Sequence, residues 1–313
     1  MGARGAQGAQ TKPLDSRKGM LYALICYTLW GFLPAYWKLL SSASVLEVFT
    51  HRMFWSFVFM FIVSRFVRKL DTGSLFRDRR AVLILGIAGI DIALTWGIYI
   101  YAINNGHIIQ ASLGYYINPL VSILFGVVVF KERLTTVQKV ATALAAAGVL
   151  YFTFDYGSFP WISVSLALLF AIYGALKKKG GYPATPALAV ETSLVAPLAL
   201  VAIIASFFLP GREFFAVDAT PGSWTATLLL VGGGAVTAIP LLLFAKAANA
   251  IPLSWIGFLQ YISPTITLLL GIFAYGETFT TAHVVCFSLI WLGLIMISAE
   301  MVRELRRPAS PSD

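Results

Sequence analysis

Charged side chains are scarce in this sequence. Only 12% of its 313 residues are Asp, Glu, Lys or Arg, 58% are hydrophobic, and the mean hydropathy is +0.81. A soluble domain carries about 25% charged residues, and half of that fraction does not suffice to cover a surface in contact with water. The composition therefore excludes a soluble globular protein and predicts a membrane protein.

Residues that bind metals or perform catalysis are also few. The chain has two cysteines, Cys26 and Cys286, both inside apolar stretches, where we expect them to be buried small side chains. No two of its ligand residues have metal-site spacing, and HExxH is absent, so we predict neither a metal nor a cofactor. An intramembrane aspartyl protease needs two acids at mid-membrane depth, and Asp91 alone lies there. An intramembrane protease or lipid-phosphate hydrolase is therefore the weaker alternative, as is a non-transporting channel or scaffold.

Long apolar segments recur along the whole chain. A spanning helix needs about 20 apolar residues, and ten such segments are present, at 20–40, 45–66, 81–103, 108–130, 137–154, 159–176, 187–209, 224–245, 253–275 and 282–302. Residues 1–18 are rich in small and polar residues and are predicted to be a disordered terminus, with a short tail at 303–313. The expected fold is an all-α polytopic membrane protein with ten transmembrane helices.

The basic residues indicate how the chain crosses the membrane. Of the 23 Lys and Arg, all except Lys38, Arg52 and Arg212 fall on one side if successive segments alternate across the bilayer. Positive residues accumulate on the cytoplasmic face, so both termini are predicted to be cytoplasmic in a multi-pass inner-membrane protein. The net charge of +9 then reflects topology and contact with anionic lipid headgroups, not nucleic-acid binding.

The two halves of the chain resemble each other at an offset of 145 residues. This register aligns Asn, Tyr, Pro, Gly and Glu residues without a gap, namely Asn104 with Asn249, Tyr116 with Tyr261, Pro119 with Pro264, Gly126 with Gly271 and Glu132 with Glu277. Each half, 19–154 and 155–302, is therefore predicted to be a five-helix repeat. Because five is odd, the second repeat enters the membrane from the opposite side, and inverted repeats are typical of secondary transporters.

Several polar and aromatic strings carry a family resemblance. They include Trp30-Gly31-Phe32-Leu33-Pro34, His51-Arg52, Asn104-Asn105-Gly106-His107, Tyr115-Tyr116-Ile117-Asn118-Pro119 and Gln260-Tyr261-Ile262-Ser263-Pro264. On these strings the chain resembles the drug/metabolite transporter superfamily, with its paired EamA-type repeats, and most closely the RarD-type permeases. The resemblance covers all ten segments and implies an inner-membrane carrier for a small organic or drug-like solute.

Ionisable side chains inside the membrane are expensive unless they are paired or face water. Arg52 and Asp91 both fall near the midplane at about 1.5 Å of rise per residue. They either line a substrate cavity, with Arg52 facing an anionic or zwitterionic solute, or form a structural ion pair. Glu47 and Glu191 open the second and seventh segments, where they either complement the helix dipole or couple transport to a proton.

Aromatic, amide and proline residues complete the predicted site. Trp30, Trp96, Tyr116 and Tyr261 are predicted to line the cavity, with hydrogen bonds from Asn118 and Gln260. Tyr36, Trp37, Trp161 and Trp291 are assigned to the interfacial belts. Prolines within a span interrupt the backbone hydrogen bonds and are predicted to act as kinks or gates, at Pro34, Pro119, Pro240 and Pro264.

The function predicted from the sequence is secondary active transport by alternating access between the two repeats. The chain has no nucleotide-binding loop, so a gradient or an exchange reaction must drive it. The expected partners are the lipid bilayer and a small-molecule substrate, together with a proton if a proton gradient is the driving force. No feature of the sequence indicates an oligomeric state.

Overall fold

The computed structural model describes residues 16–67, 72–208, 221–276 and 280–306. Within these ranges the chain forms helices and no strand. They are α1 Ser16–Lys38, α2 Val45–Ile62 with a π-helical turn Val63–Val67, α3 Gly73–Arg77, α4 Arg79–Asn104, α5 Ile108–Phe130, α6 Thr136–Tyr156, α7 Trp161–Gly180, α8 Ala184–Ser206, α9 Pro221–Ala250, α10 Leu253–Gln260, α11 Ile262–Tyr275 and α12 Thr281–Arg306. Most of the predicted N-terminal disorder, the C-terminal tail from 307 and Glu277 lie outside the described residues.

Ten helical stretches are long and apolar enough to cross a membrane, which confirms the predicted all-α polytopic fold. α3 is too short to span, and α10 and α11 together form the ninth span. That span is interrupted at Tyr261. Pro264 contributes to this interruption, because it has no N–H to donate to the Gln260 carbonyl. The α8 helix begins three residues earlier than the sequence predicted, at Ala184.

Local sequence signals set several helix ends. The Ser44 side chain caps α2 by accepting a hydrogen bond from the Glu47 backbone N–H, at 3.1 Å. Thr135 and Gln138 form a reciprocal capping box at the start of α6. Several helices end at a glycine in the left-handed conformation, as at Gly181 after α7, with φ of 62°. The turn at Gly181 brings α8 back against α7.

The helices of the two halves pack according to the sequence correspondence. α5 packs on α10, α6 on α12 and α2 on α8, and each of these contacts joins segments at equal positions in the two halves. The contact of α1 with α9 likewise has its counterpart in the contact of α4 with α7. The Tyr261 hydroxyl donates to the Tyr116 carbonyl, at 3.3 Å, and these two residues are 145 apart. The core between the halves is therefore built from matched elements.

Three consecutive glycines, 232–234, bring α9 close to α1 and α2. A Cβ atom at Gly233 would lie 3.4 Å from the Trp37 ring, and one at Gly234 would collide with the Trp55 backbone. The Ser56 hydroxyl donates to the Gly234 carbonyl across this contact, at 3.2 Å. Thr237, one turn further along α9, is thereby placed against the membrane-embedded arginine of α2.

Candidate functional site

Arg52 is held by aromatic rings rather than by a carboxylate. It lies seven residues into α2, about 10 Å along the helix axis. The guanidinium carbon is 4.5 Å from the centroid of the Trp37 ring and 4.3 Å from that of the Trp96 ring. Its Nε donates to Thr237 Oγ1, at 3.2 Å. Among the described residues, no carboxylate pairs with this cation, and its two Nη groups make no hydrogen bond.

Two tyrosines extend this site. Tyr99 and Tyr115 interact electrostatically with the Arg52 guanidinium, and their rings are 6.2 Å apart. Tyr115 is 50% exposed, so it is not enclosed by the packed core. We call this group the Arg52 cage. It is built from α1, α2, α4, α5 and α9, and hence from both halves of the chain, by Trp37, Arg52, Trp96, Tyr99, Tyr115 and Thr237.

The structure does not form the predicted ion pair between Arg52 and Asp91. Asp91 is 5% exposed on α4, and within the described chain no cation lies within 4.0 Å of its carboxylate. Its Oδ2 atom is buried without a hydrogen-bond partner. The helical phase explains the separation: Asp91 and Trp96 are five residues apart and point about 140° away from each other around α4. With Trp96 facing Arg52, Asp91 faces elsewhere.

Asp91 instead interacts electrostatically with Glu191 of α8. Glu191 forms a buried salt bridge with Lys177 of α7 and accepts a hydrogen bond from the Tyr173 hydroxyl, at 3.0 Å. The Lys177 ammonium also lies 5.1 Å from the centroid of the Tyr173 ring. Glu191, Lys177 and Tyr173 are all buried. We call Asp91, Tyr173, Lys177 and Glu191 the acidic cluster.

The two glutamates predicted at helix starts therefore differ. Glu47 does lie in the first turn of α2, beside the cap at Ser44. Glu191 is seven residues inside α8, whose first turn contains no acid. A helix dipole acts mainly within the first turn, so the dipole interpretation of Glu191 is wrong, and an ion pair with Lys177 takes its place.

Other predicted cavity residues lie in packed regions away from Arg52. Trp30 belongs to an aromatic cluster with Tyr27, Phe170 and Phe244, at ring separations of 5.5, 5.5 and 5.8 Å. Of the four aromatics predicted to line the cavity, Trp96 alone reaches the Arg52 cage.

The interface between the halves takes the remaining predicted polar residues. Tyr116 and Tyr261 are 7% and 2% exposed, and Tyr116 packs against Phe287 with ring centroids 5.1 Å apart. The Ser122 hydroxyl lies 3.5 Å from Asn118 Oδ1 and 3.3 Å from Gln260 Oε1. These buried groups join α5 to the ninth span instead of lining the Arg52 cage.

The four predicted kink residues behave differently in the fold. Pro34, Pro119 and Pro240 lie inside α1, α5 and α9, which continue through them as single helices. Pro264 follows the interruption at Tyr261. The Cys26 thiol donates a hydrogen bond to the Pro240 carbonyl, at 3.2 Å. Both cysteines are free and buried, as predicted.

Sequence reasoning missed several residues of both sites. Trp37 was assigned to the interfacial belt, but its ring contacts Arg52. Lys177 was counted among the basic residues of a loop, yet its side chain is 4% exposed inside α7. A usable signal was present, because Tyr173 and Lys177 are four residues apart and share one face of a helix.

Comparisons with known proteins agree with this fold. The family model described as "EamA-like transporter family" matches residues 17–154. The chain is 41% identical to "Uncharacterized transporter YojE" of Bacillus subtilis over 95% of this chain and 98% of that one. It is 36% identical to "Protein RarD" of Escherichia coli over 94% and 98%. A crystal structure with 17% identity superposes with a TM-score of 0.69 over 94% of this chain and 100% of that chain, which shows the fold alone.

The ten apolar helices and these relatives define a multi-pass inner-membrane protein of the transporter class. The chain belongs to the EamA-like transporter family of the drug/metabolite transporter superfamily and, within it, to the RarD-type permeases.

Proposed function

We propose that this protein is a secondary active transporter that moves a small organic anion or zwitterion by alternating access. The observation that carries the proposal is the Arg52 cage. It holds an arginine with no carboxylate partner in the described chain, at a point where helices of both halves meet. Charged groups inside membrane proteins mark substrate and ion pathways.

The chemistry of the cage favours a carboxylate. A guanidinium presents its N–H donors in a rigid planar fork that matches two carboxylate oxygens. Trp37 and Trp96 cover the guanidinium by cation–π contact, and Thr237 takes the Nε–H. The two Nη groups of Arg52 are therefore the donors that remain for a ligand. A ligand would approach them in the plane of the guanidinium. We infer that the hydroxyls of Tyr99 and Tyr115, which interact electrostatically with Arg52, hydrogen-bond the same anion.

Alternating access requires two related packings of one fold, which inverted repeats supply. The proposed repeats are 19–154 and 155–302. The 145-residue correspondence and the matched helix contacts of the two halves support this division. Pro34, Pro119 and Pro240 are the proposed flexible points of α1, α5 and α9, since each leaves a carbonyl without its intrahelical partner.

The proposed orientation places both termini in the cytoplasm and leads to a labelling prediction. Ser158 and Lys179 are both exposed and lie at opposite ends of α7. In a background without Cys26 and Cys286, a cysteine at Ser158 should react with an impermeant maleimide in intact cells. A cysteine at Lys179 should react only after the cells are opened. Labelling of the Lys179 position alone in intact cells would reverse the orientation.

The transport proposal is tested with pairs of carboxylates and their own amides, such as benzoate with benzamide and indole-3-acetate with indole-3-acetamide. A ligand stabilises a protein by RT ln(1 + [L]/Kd), so even weak binders raise the melting temperature at high concentration. Carboxylates should raise it more than their amides. The carboxylate with the largest shift should then show saturable counterflow in proteoliposomes.

Each contrary result rejects a stated part of this proposal. Flux that never saturates would indicate a channel, and covalent conversion of the probe would indicate an enzyme. Equal shifts from the carboxylates and their amides would show that the cage does not select an anion.

A further inference from the structure

The acidic cluster contains more acid than base. Its two carboxylates, Asp91 and Glu191, interact electrostatically, and Lys177 pairs with Glu191. One ammonium group can neutralise one carboxylate. Among the described residues, Asp91 is therefore left without a cation. It is 5% exposed, and one of its carboxylate oxygens makes no hydrogen bond.

Within the part of the chain that the structure describes, the surroundings of Asp91 offer no other compensation. α8 faces it with Glu191, and α7 faces it with Tyr173, whose hydroxyl is donated to Glu191. On α4 itself the Thr95 hydroxyl donates to the Asp91 backbone carbonyl and not to the carboxylate. α2 places none of its described ionisable groups within ion-pair distance of Asp91. An ionised carboxylate buried in this way is costly, and a bound proton removes the charge.

We propose that the Asp91 carboxyl binds the coupling proton of the transport cycle, with the Lys177–Glu191 pair beside it. This inference rests on the proposed function, since a coupling proton has meaning only in a carrier. The proton adds to Asp91 Oδ from one side of the membrane and leaves the same oxygen toward the other, and no covalent bond of the solute changes. When Asp91 is ionised, Lys177 is the one cation that the cluster as defined here contains.

Two features relate the acidic cluster to the cytoplasmic end of α7 and to the Arg52 cage. A small cavity with room for about one water molecule is lined by Lys177, Tyr182 and Asn249, but not by Asp91, beside the turn between α7 and α8. That turn is cytoplasmic in the proposed orientation. Asp91 and Trp96 are also carried by one helix, about 7.5 Å apart along its axis. A shift of α4 on protonation would thus reach the Arg52 cage.

Infrared spectroscopy of the full-length protein in lipid nanodiscs tests the proton site directly, with the proton as the probe. Across a pH series, the wild type should show the carbonyl stretch of a protonated buried carboxyl at neutral pH and lose it at alkaline pH. Asp91→Asn should lack this band altogether. Asp155→Asn, which removes an exposed acid at the end of α6, should keep it unchanged. Glu191→Gln should lose it at neutral pH, because Lys177 is then free to pair with Asp91.

A second measurement protects the test against a variant that does not fold. Isotope labelling of aspartate in the wild type should shift the same band, whereas labelling of glutamate should not. A band that persists in Asp91→Asn, or that shifts with labelled glutamate, would overturn the proposal, as would a wild type with no such band at any pH. The infrared band is read without a transport measurement. Its absence, together with saturable counterflow in the separate proteoliposome experiment, would reject this inference and leave the carrier function standing.

Discussion

Arg52→Gln is expected to lower carboxylate counterflow by about 10- to 100-fold. Hydrogen bonds to charged groups contribute about 1.5–3 kcal/mol, and 1.4 kcal/mol corresponds to a factor of ten. The substitution removes the charge and the planar fork but keeps a side chain that can reach Thr237. Arg52→Lys keeps the charge without the fork and should fall between wild type and Arg52→Gln. The measurement is the initial rate of counterflow, with the melting temperature of each variant as the check on folding.

A matched control lies at the end of α1. Lys38 is exposed, and its ammonium lies over the Tyr275 ring, 3.4 Å from the centroid. Like Arg52, it is a cation in contact with an aromatic ring. Lys38→Gln should leave counterflow at the wild-type rate. If Arg52→Gln transports the carboxylate as fast as Lys38→Gln does, the cage is a structural element and not the substrate site.

Lys177→Met is expected to lower the free energy of unfolding by about 3–5 kcal/mol. The substitution leaves the Glu191 carboxylate buried without its cation. Adding Glu191→Gln should recover most of the loss, because the neutral amide needs no cation and still accepts the Tyr173 hydroxyl. Chemical denaturation of the purified single and double variants in the same detergent gives the two values and their coupling energy.

Lys179 provides the control for this cycle. It lies two residues further along α7 and is exposed, so Lys179→Met should change the free energy of unfolding by no more than about 0.5 kcal/mol. Equal stability of Lys177→Met and Lys179→Met would show that the buried pair contributes nothing. A double variant no more stable than Lys177→Met alone would show that the lost energy did not come from an unpaired charge.

Helical phase decides which of the predicted site residues come together in the fold. Arg52 and Asp91 were both placed near the midplane, and both are embedded in spans. Depth follows from position along a helix, whereas contact depends on the direction of each side chain around it. Trp96 and Asp91 share α4 but face different neighbours, so Arg52 meets the indole and Asp91 meets Glu191.

Lys177 illustrates a second limit. Three consecutive lysines at the end of α7 have the same hydropathy but different surroundings. Lys177 is paired in the interior, Lys178 donates to the Ile251 carbonyl at 2.8 Å, and Lys179 is exposed. The difference arises from which helix lies opposite each side chain. The start of α8 at Ala184, earlier than its apolar run suggested, carries Glu191 to the depth of Lys177.

The sequence by itself determined that the protein lies in a lipid bilayer. It also determined the helix content, the ten spans, the family and the correspondence between the halves. These properties depend on composition and on order along one dimension, because the bilayer requires about 20 apolar residues for each crossing. The tertiary structure alone decided that Arg52 lies against Trp37 and Trp96, that no cation of the described residues pairs with Asp91, and that Lys177 pairs with Glu191. Those contacts depend on the rotation of each helix about its axis and on the close approach that the glycines of α9 permit, and both are set by how neighbouring helices pack.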